Sequence, residues 1–518
     1  MSNTTSKTGA DTRTRSLGRE IAHIIPPLLM LGALPLLWYA ITRLMTLLYY
    51  PYPHDGLEGT LLHEARLLQA GQPLYQPLQR FWFVSAPYPP VHPLVLSLAD
   101  HIPGPHLFWG GRLVSLVATL SIVLLIIVVC RRVGATWLGA ALGATIFISA
   151  PSVLLWGTRI KPDMLALLCT ALGLAFATGY IARPEAYARR PLPWLLPALC
   201  FALAFFTKQT AVAAPLATGL ALMIDDVRGW RSAHNAGFAW RLPLRWRTLS
   251  FGLGYAIFVF GTWALLDVIT QGQFTAHVWG LHRSEWWTVQ LLLKFVGLLQ
   301  PYLPGILLAA VVVVLALRER RALVLACYAL VVPISLLGSG ETGANHNHLL
   351  ESLLAISLVV GIVARWLPNW LARGQWVPSF MVVALLAAQI GLAYRPPDWF
   401  VGELAPDEPP KRFIDYIQNT PGEILADDVS LLVAAGRPLR YDDPSTMGPA
   451  ARSGVWDQSG LIEDIAAQRF SAILIQVNVE RTLDDATGRW TTEVLMAVRQ
   501  HYKLLYKDTI KIYVPREG

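Results

Sequence analysis

Asp55 and Glu58 open a polar interval, 50–107, that lies between two apolar runs each long enough to cross a bilayer. The stretch HDGLEGTLLHEARLLQAGQPLY sets His54, Asp55, Glu58, His63, Glu64 and Arg66 close together just past the first run. Chemistry, more than anchoring, needs such a loop. A carboxylate there can take a proton from an attacking hydroxyl, and Asp55 is the first candidate for that work. Its other reading is the N-cap of a helix over GLEGTLLHEARLL, since Asp is favoured there; the two roles are compatible. Glu58 is the second candidate, with a first-turn dipole partner as its plainer reading. His63 and Glu64 read first as a solvated face.

Cations that suit an anionic ligand lie elsewhere. Lys208, in FFTKQTA, interrupts nearly continuous apolar sequence from Leu192 to Ile224, and an ionisable group at such depth costs roughly 3 kcal/mol or more unless it serves a purpose. It is a candidate phosphate ligand; a snorkelling lysine is the alternative. Arg159 and Lys161, in WGTRIKPDM, charge a second short turn, and Asp163 either orients Lys208 or Lys161 or caps its own helix. Arg112, in GGRLVS, reads chiefly as a structural partner of a carboxylate. Trp279, Trp286 and Trp287 flank Arg283, either as an interfacial aromatic belt or as a lid in which Arg283 meets phosphate. NHNHLLE contributes His346 and His348 to an interfacial helix start or to a wall of the site. With His54, Asp55 and Glu58 these histidines offer the oxygen and imidazole donors a divalent ion takes. No ligand spacing compels one, so a metal is unknown and no cofactor is required.

Membrane helices must position these groups. At 54% hydrophobic and 15% charged residues, the chain cannot be an ordinary soluble protein, in which charged residues approach about a quarter. The first apolar run follows a basic tail, 1–21, exceeds a signal-peptide core and lacks a small-residue cleavage site, so it reads as a retained span. At roughly 20 residues per crossing, spans are expected near 22–49, 108–130, 134–155, 163–181, 193–206, 210–224, 248–270, 295–317, 322–338, 348–366 and 377–394, about eleven in all. Connections rich in arginine, such as Arg131, Arg132, Arg228, Arg245, Arg247, Arg320 and Arg365, are cytoplasmic by the positive-inside rule. The loop 50–107 then faces outward. The net charge of +8 comes largely from the cytoplasmic clusters, which suit anionic lipid headgroups; no nucleic-acid motif is present. Cys130, Cys169, Cys200 and Cys327 fall in or at the ends of spans without a CxxC, which gives neither a disulfide framework nor a thiolate metal site.

Beyond the transmembrane unit, 22–394, a proline-rich linker, 395–410, leads into a tail, 411–518, that alternates strands and helices. EILAD, PLRYD and SAILIQV read as strands, VSLLVAAG, LIEDIAAQR and TTEVLMAVRQ as helices, and YKLLYKDTIKIYV as a terminal hairpin. The tail is expected as a small extracytoplasmic α/β domain with a core of its own.

Taken in order, HDGLEGTLLHEARLLQAGQPLYQP, YPPVHPLVL, GGRLVSLVATLSIVLLIIVVCRRVGA, GTRIKPDMLALLCTALGLAFA and FFTKQTAVAAPLA resemble the GT-C glycosyltransferases of the protein-mannosyltransferase and aminoarabinose-transferase superfamily. The likeness covers about residues 22–224 well and the rest loosely. It implies a polytopic GT-C fold in the plasma or inner membrane, N-terminus cytoplasmic and tail outside. It also implies transfer of a hexosyl or pentosyl unit, with inversion, from a polyprenyl-phosphate carrier to a lipid, glycan or protein acceptor. Asp55 and Glu58 match the place of the family's acidic pair, although the adjacent acidic residue is absent, and NHNHLLE departs from the family's late-span element. Such a transfer needs one base and no general acid, because phosphate leaves already charged; the two carboxylates used on glycosides reduce to one base and cations around the leaving group. A transporter or flippase, or a noncatalytic scaffold with an exported binding domain, is the competing class. Paired repeats and interrupted spans of the transporter kind are not found.

Overall fold

The long apolar runs become helices here, and the polar intervals between them carry the loops. The structure, a computed structural model, describes residues 5–187, 190–235, 245–281, 287–341, 344–397, 400 and 410–516. The first helices are α1 (Thr5–Tyr49), α2 (Gly56–Gln69), α3 (Val91–Ala99), α4 (Trp109–Arg132), α5 (Trp137–Ile148), α6 (Pro151–Trp156) and α7 (Asp163–Ile181). Among the described residues seven helices are long and apolar enough to cross a membrane, or eight if the bent pair Val289–Gly297 and Gln300–Ala316 is one span. The expected number of about eleven is therefore not reached on length and composition. Of the remaining expected spans, two are shorter apolar helices, α5 and Leu192–Thr207. The third lies in the helix Ala213–Asn235, whose second half carries Asp225, Asp226 and Arg228. The segment expected as one span over 134–155 is cut because Pro151 forces Ala150 into an extended conformation, ψ 131°, as the residue before proline generally must be.

The two ends of the bundle differ in charge as the loop pattern anticipated. At one end Arg247 pairs with Asp225 and Asp226, Arg320 with Asp225 at 2.7 Å and Arg365 with Glu319. Asp55, Glu58, Arg159, Lys161, Asp163 and Lys208 gather at the other.

The tail forms a four-stranded sheet in the order β1-β2-β4-β3, built from β1 (Glu423–Ala426), β2 (Phe470–Ile475), β3 (Tyr502–Lys507) and β4 (Lys511–Pro515). β1 and β2 run parallel across a helical crossover, and the terminal hairpin adds β4 antiparallel to β2. EILAD, SAILIQV and the hairpin thus stand where the alternation put them. PLRYD does not join this sheet; its Tyr441 bridges Phe83 of the loop instead, with the Phe83 amide donating to the Arg440 carbonyl at 2.9 Å.

That bridge is part of a larger contact between loop and tail. Leu61, Leu62 and Ala65 of α2, Phe108 and Ile160 pack in one buried cluster with Ile417, Val429, Leu432 and Leu474 of the tail. Phe83 lies in a second cluster with Tyr441, Trp456 and Phe470. The first cluster is shared between loop and tail, and the second is a tail core that Phe83 of the loop completes.

Candidate active site

Asp55 is the N-cap of α2, its Oδ1 accepting from the Leu57 and Glu58 amides at 3.1 and 3.2 Å. Capping uses one oxygen. The other, Oδ2, meets Lys161 Nζ at 2.9 Å and Arg159 Nη1 at 3.5 Å, with a quarter of the side chain exposed. Burial alone would raise the Asp55 pKa, but Lys161 and Arg159 outweigh it and hold the group at about 2. The carboxylate is ionised and flanked by two cations, open on one side.

Glu58, one turn further, is fully buried and engaged on both oxygens. Arg112 forks onto it at 2.7 and 3.2 Å, the Ile160 amide donates at 3.0 Å and the His54 amide at 2.9 Å. Burial pushes its pKa up, yet Arg112 and His54 bring it below the usual range. Such a pair is costly to break because the survivor is left buried and charged. The same Arg112 donates to the Tyr52 carbonyl at 2.6 Å and to that of Tyr50. Glu58 and Arg112 therefore join the end of α1, the start of α2, the first turn of α4 and the turn 157–162. Ser115 Oγ fixes that turn from α4 by donating to the Arg159 carbonyl at 2.5 Å. The turn then presents Arg159 and Lys161 toward Asp55, both of them also over the Trp156 ring, at 5.1 and 5.9 Å from its centroid.

Lys208 pairs with Asp163, which also accepts from Asn347 Nδ2 at 2.9 Å. Of the two readings of Asp163, orientation of Lys208 is the one seen; its helix is capped by Pro162 without a side-chain bond. This pair lines a cavity of about 400 Å³ together with Thr210, Ser335, His348 and Glu351. His346 turns its ring edge to Trp156, 6.4 Å between centroids, and to Phe295. The five donors considered for a divalent ion are thus divided, and no group of three or more His, Cys, Asp or Glu among the described residues is placed to hold one. His54 stacks on Tyr50 at 5.3 Å and is brought down to about 4 by burial. Arg283 lies outside the described residues.

Sequence reasoning missed the tail's share of this site. Ser430 Oγ donates to the Asp55 and Gly56 carbonyls at 2.7 and 2.9 Å and accepts from the Gly59 amide at 2.6 Å. Asp428, beside it, caps the helix Val429–Ala434 and lies 3.3 Å from where a Gly56 side chain would begin. Burial and then Asp55 raise its pKa to about 7. Nothing in ADDVS distinguishes these residues from any helix start, so no local signal could have found them. Glu351 did carry one, as an acid at the outer end of an apolar span.

A family model described as dolichyl-phosphate-mannose-protein mannosyltransferase matches residues 87–239, a little under a third of the chain. Among solved structures, ArnT from Cupriavidus metallidurans bound to undecaprenyl phosphate is similar at a TM-score of 0.57 and 14% identity, over 93% of this chain and 97% of that one. The archaeal oligosaccharyltransferase AglB from Archaeoglobus fulgidus, in complex with an inhibitory peptide and a dolichol-phosphate, is similar at 0.53 and 12% identity, over 94% of this chain and 74% of that one. No curated protein sequence matches significantly.

Proposed function

We propose that this chain, a polytopic membrane protein with the GT-C fold, transfers a sugar from a polyprenyl-phosphate carrier to an acceptor on the outer face of the membrane. The observation that carries the reading is the pairing of one half-open carboxylate, Asp55, with the two cations Lys161 and Arg159. They provide a base and an anion site within one side chain's reach.

In this reading the carrier's phosphodiester enters beside Lys161 and Arg159. It draws on the charge that holds Asp55 near 2, and the carboxylate becomes the stronger base that the reaction needs. The acceptor hydroxyl gives its proton to Asp55 as its oxygen bonds the anomeric carbon. The bond from that carbon to the phosphate oxygen breaks, and its electron pair leaves with the polyprenyl phosphate. One displacement inverts the anomeric centre. Cations that bind the growing monoester charge more strongly than the diester lower the barrier. Glu58 and Arg112 act as positioning residues, since neither has an oxygen or nitrogen to spare for a reacting atom. Lys208, held by Asp163, contributes positive field from the adjoining cavity. The acceptor class, a lipid, glycan or protein, stays open. The arginine-rich end is cytoplasmic and the site and tail lie outside, which labelling of single cysteines at the two ends in intact cells checks.

The test uses purified protein in nanodiscs with a labelled polyprenyl-phosphate sugar. Asp55→Asn, which keeps shape and capping capacity, should bind the donor as wild type does and lose turnover by about 100-fold or more. Transfer by this variant at the wild-type rate would remove Asp55 from the chemistry. Failure of wild type to bind any such lipid from a broad panel would favour the transporter or scaffold reading.

A further inference from the structure

Glu351 stands at the outer end of the span His346–Ala372, one wall of the cavity that Asp163 and Lys208 close on the other side. Both its carboxylate oxygens are buried, and neither has a hydrogen-bond partner among the described residues. Buried polar groups are nearly always partnered, and an orphan calls for an explanation. Leaving one unpaired costs about 1–3 kcal/mol, and more for a charge. Lys208 is the one cation acting on Glu351 among the causes resolved for it, but Lys208 is already bonded to Asp163. With one base for two acids, the cavity leaves the Glu351 carboxylate without hydrogen-bond donors among the described residues.

What fills it must supply them. That space of about 400 Å³ is open to solvent, so a ligand can enter it, and the hydroxyls of Thr210 and Ser335 with His348 add polar groups around the wall. The cavity also adjoins the transfer centre: Asp163 follows by two residues Lys161, which pairs with Asp55 at 2.9 Å. A ligand whose reacting carbon sits by Asp55 can thus extend its ring toward Glu351.

We infer that this cavity receives the sugar ring of the donor and that Glu351 is its specificity-determining residue, accepting hydrogen bonds from a donor-bearing ring substituent, either hydroxyl or ammonium. The inference rests on the transfer reading above. A site built to hydrogen-bond one substituent rejects the analogue that lacks it far more strongly than a hydrophobic pocket can, because the buried acceptor is left unpaired.

The probes are a short-chain polyprenyl phosphate, the same lipid carrying glucose, each of its single-deoxy analogues and the amino analogue at each ring position, bound to full-length protein in nanodiscs. Wild type should prefer one parent or amino donor over its deoxy counterpart by at least about tenfold, and Glu351→Met should erase that preference while binding the sugar-free lipid as wild type does. Glu351→Gln separates the two sources: it retains part of a preference for hydroxyl and loses a preference for ammonium. A wild type that tolerates loss of every ring substituent equally overturns the inference without any variant. So does a preference that survives in both Glu351→Gln and Glu351→Met. If the sugar-free lipid and all the donors fail to bind, the transfer reading itself falls.

Discussion

At the residue scale, buried ion pairs separate the groups that hold the site from those exposed to a substrate. Glu58 and Lys208, the candidates for a second carboxylate and a phosphate ligand, are each tied to an opposite charge, Arg112 and Asp163. For Lys208 the consequence is measurable. Lys208→Met leaves Asp163 buried without its cation and should lower stability by about 3 kcal/mol, read from thermal unfolding in nanodiscs. Lys208→Met with Asp163→Leu should recover most of that loss but not transfer activity, since the field toward the donor is gone. A double variant no more stable than the single one would show that the pair is not what holds this corner. Asp55 differs from both because a quarter of its side chain stays exposed beside its two cations, which is the feature no spacing rule could supply.

At the element scale, α2 is as much a docking surface as a carrier of Asp55. Its GLEG turn packs against the helix Val429–Ala434 so closely that a Cβ on Gly59 would sit 2.4 Å from Ser430 Cα. Backbone cannot yield by that much without shifting the whole helix. Gly59→Ala should therefore loosen the tail from the loop, seen as faster proteolysis of the tail and a fall in transfer of about tenfold or more, as misplacement by an ångström gives. Proteolysis and activity at wild-type levels would mean that the tail does not position α2. The glycines in this turn were visible in the sequence as residues, but their reason lies 371 positions away in Ser430.

At the scale of the whole molecule, the junction of loop and tail gathers acids. Burial and then Asp443 push Glu64 up to about 8, burial and Asp55 raise Asp428 to about 7, and burial raises Asp427 to about 6. Glu64 accepts from Ser85 Oγ at 3.2 Å and the Ala86 amide at 3.0 Å, while its other oxygen and Asp442 Oδ2 are buried without partners among the described residues. These folded values exceed the unfolded ones, about 4, so the folded state holds extra protons and loses stability as pH rises from about 4 up to each folded value, the last near 8. His54, His63 and His92 are brought down to about 4 by burial, so their contribution grows as pH rises from about 4 and is complete above about 6.5. Between about pH 6.5 and 8.5 only the acids remain to act, and the melting temperature should fall. Glu64→Gln keeps the bonds to Ser85 and Ala86, removes the charge, and should flatten that slope while raising stability at the alkaline end. A melting temperature that rises across this window would contradict the assignment.

The sequence by itself determined a polytopic helical chain, the place of most spans, the helix that Asp55 caps, the charge asymmetry of the two bundle ends and, in the tail, the strands of EILAD, SAILIQV and the terminal hairpin. All of these follow from local rules: hydropathy over a bilayer's thickness, period along an element, the residue before a proline or at a cap. Tertiary structure alone decided that Glu58 is filled by Arg112, that Lys161 and Arg159 rather than Lys208 meet Asp55, and that Ser430 and Asp428 stand beside it. It also decided that Phe83 and Tyr441 belong to one core. Partner choice among charges depends on distances between segments a hundred or more residues apart, and a buried charge takes whichever opposite charge the packing brings within about 4 Å. Hydropathy along the chain carries no record of that distance.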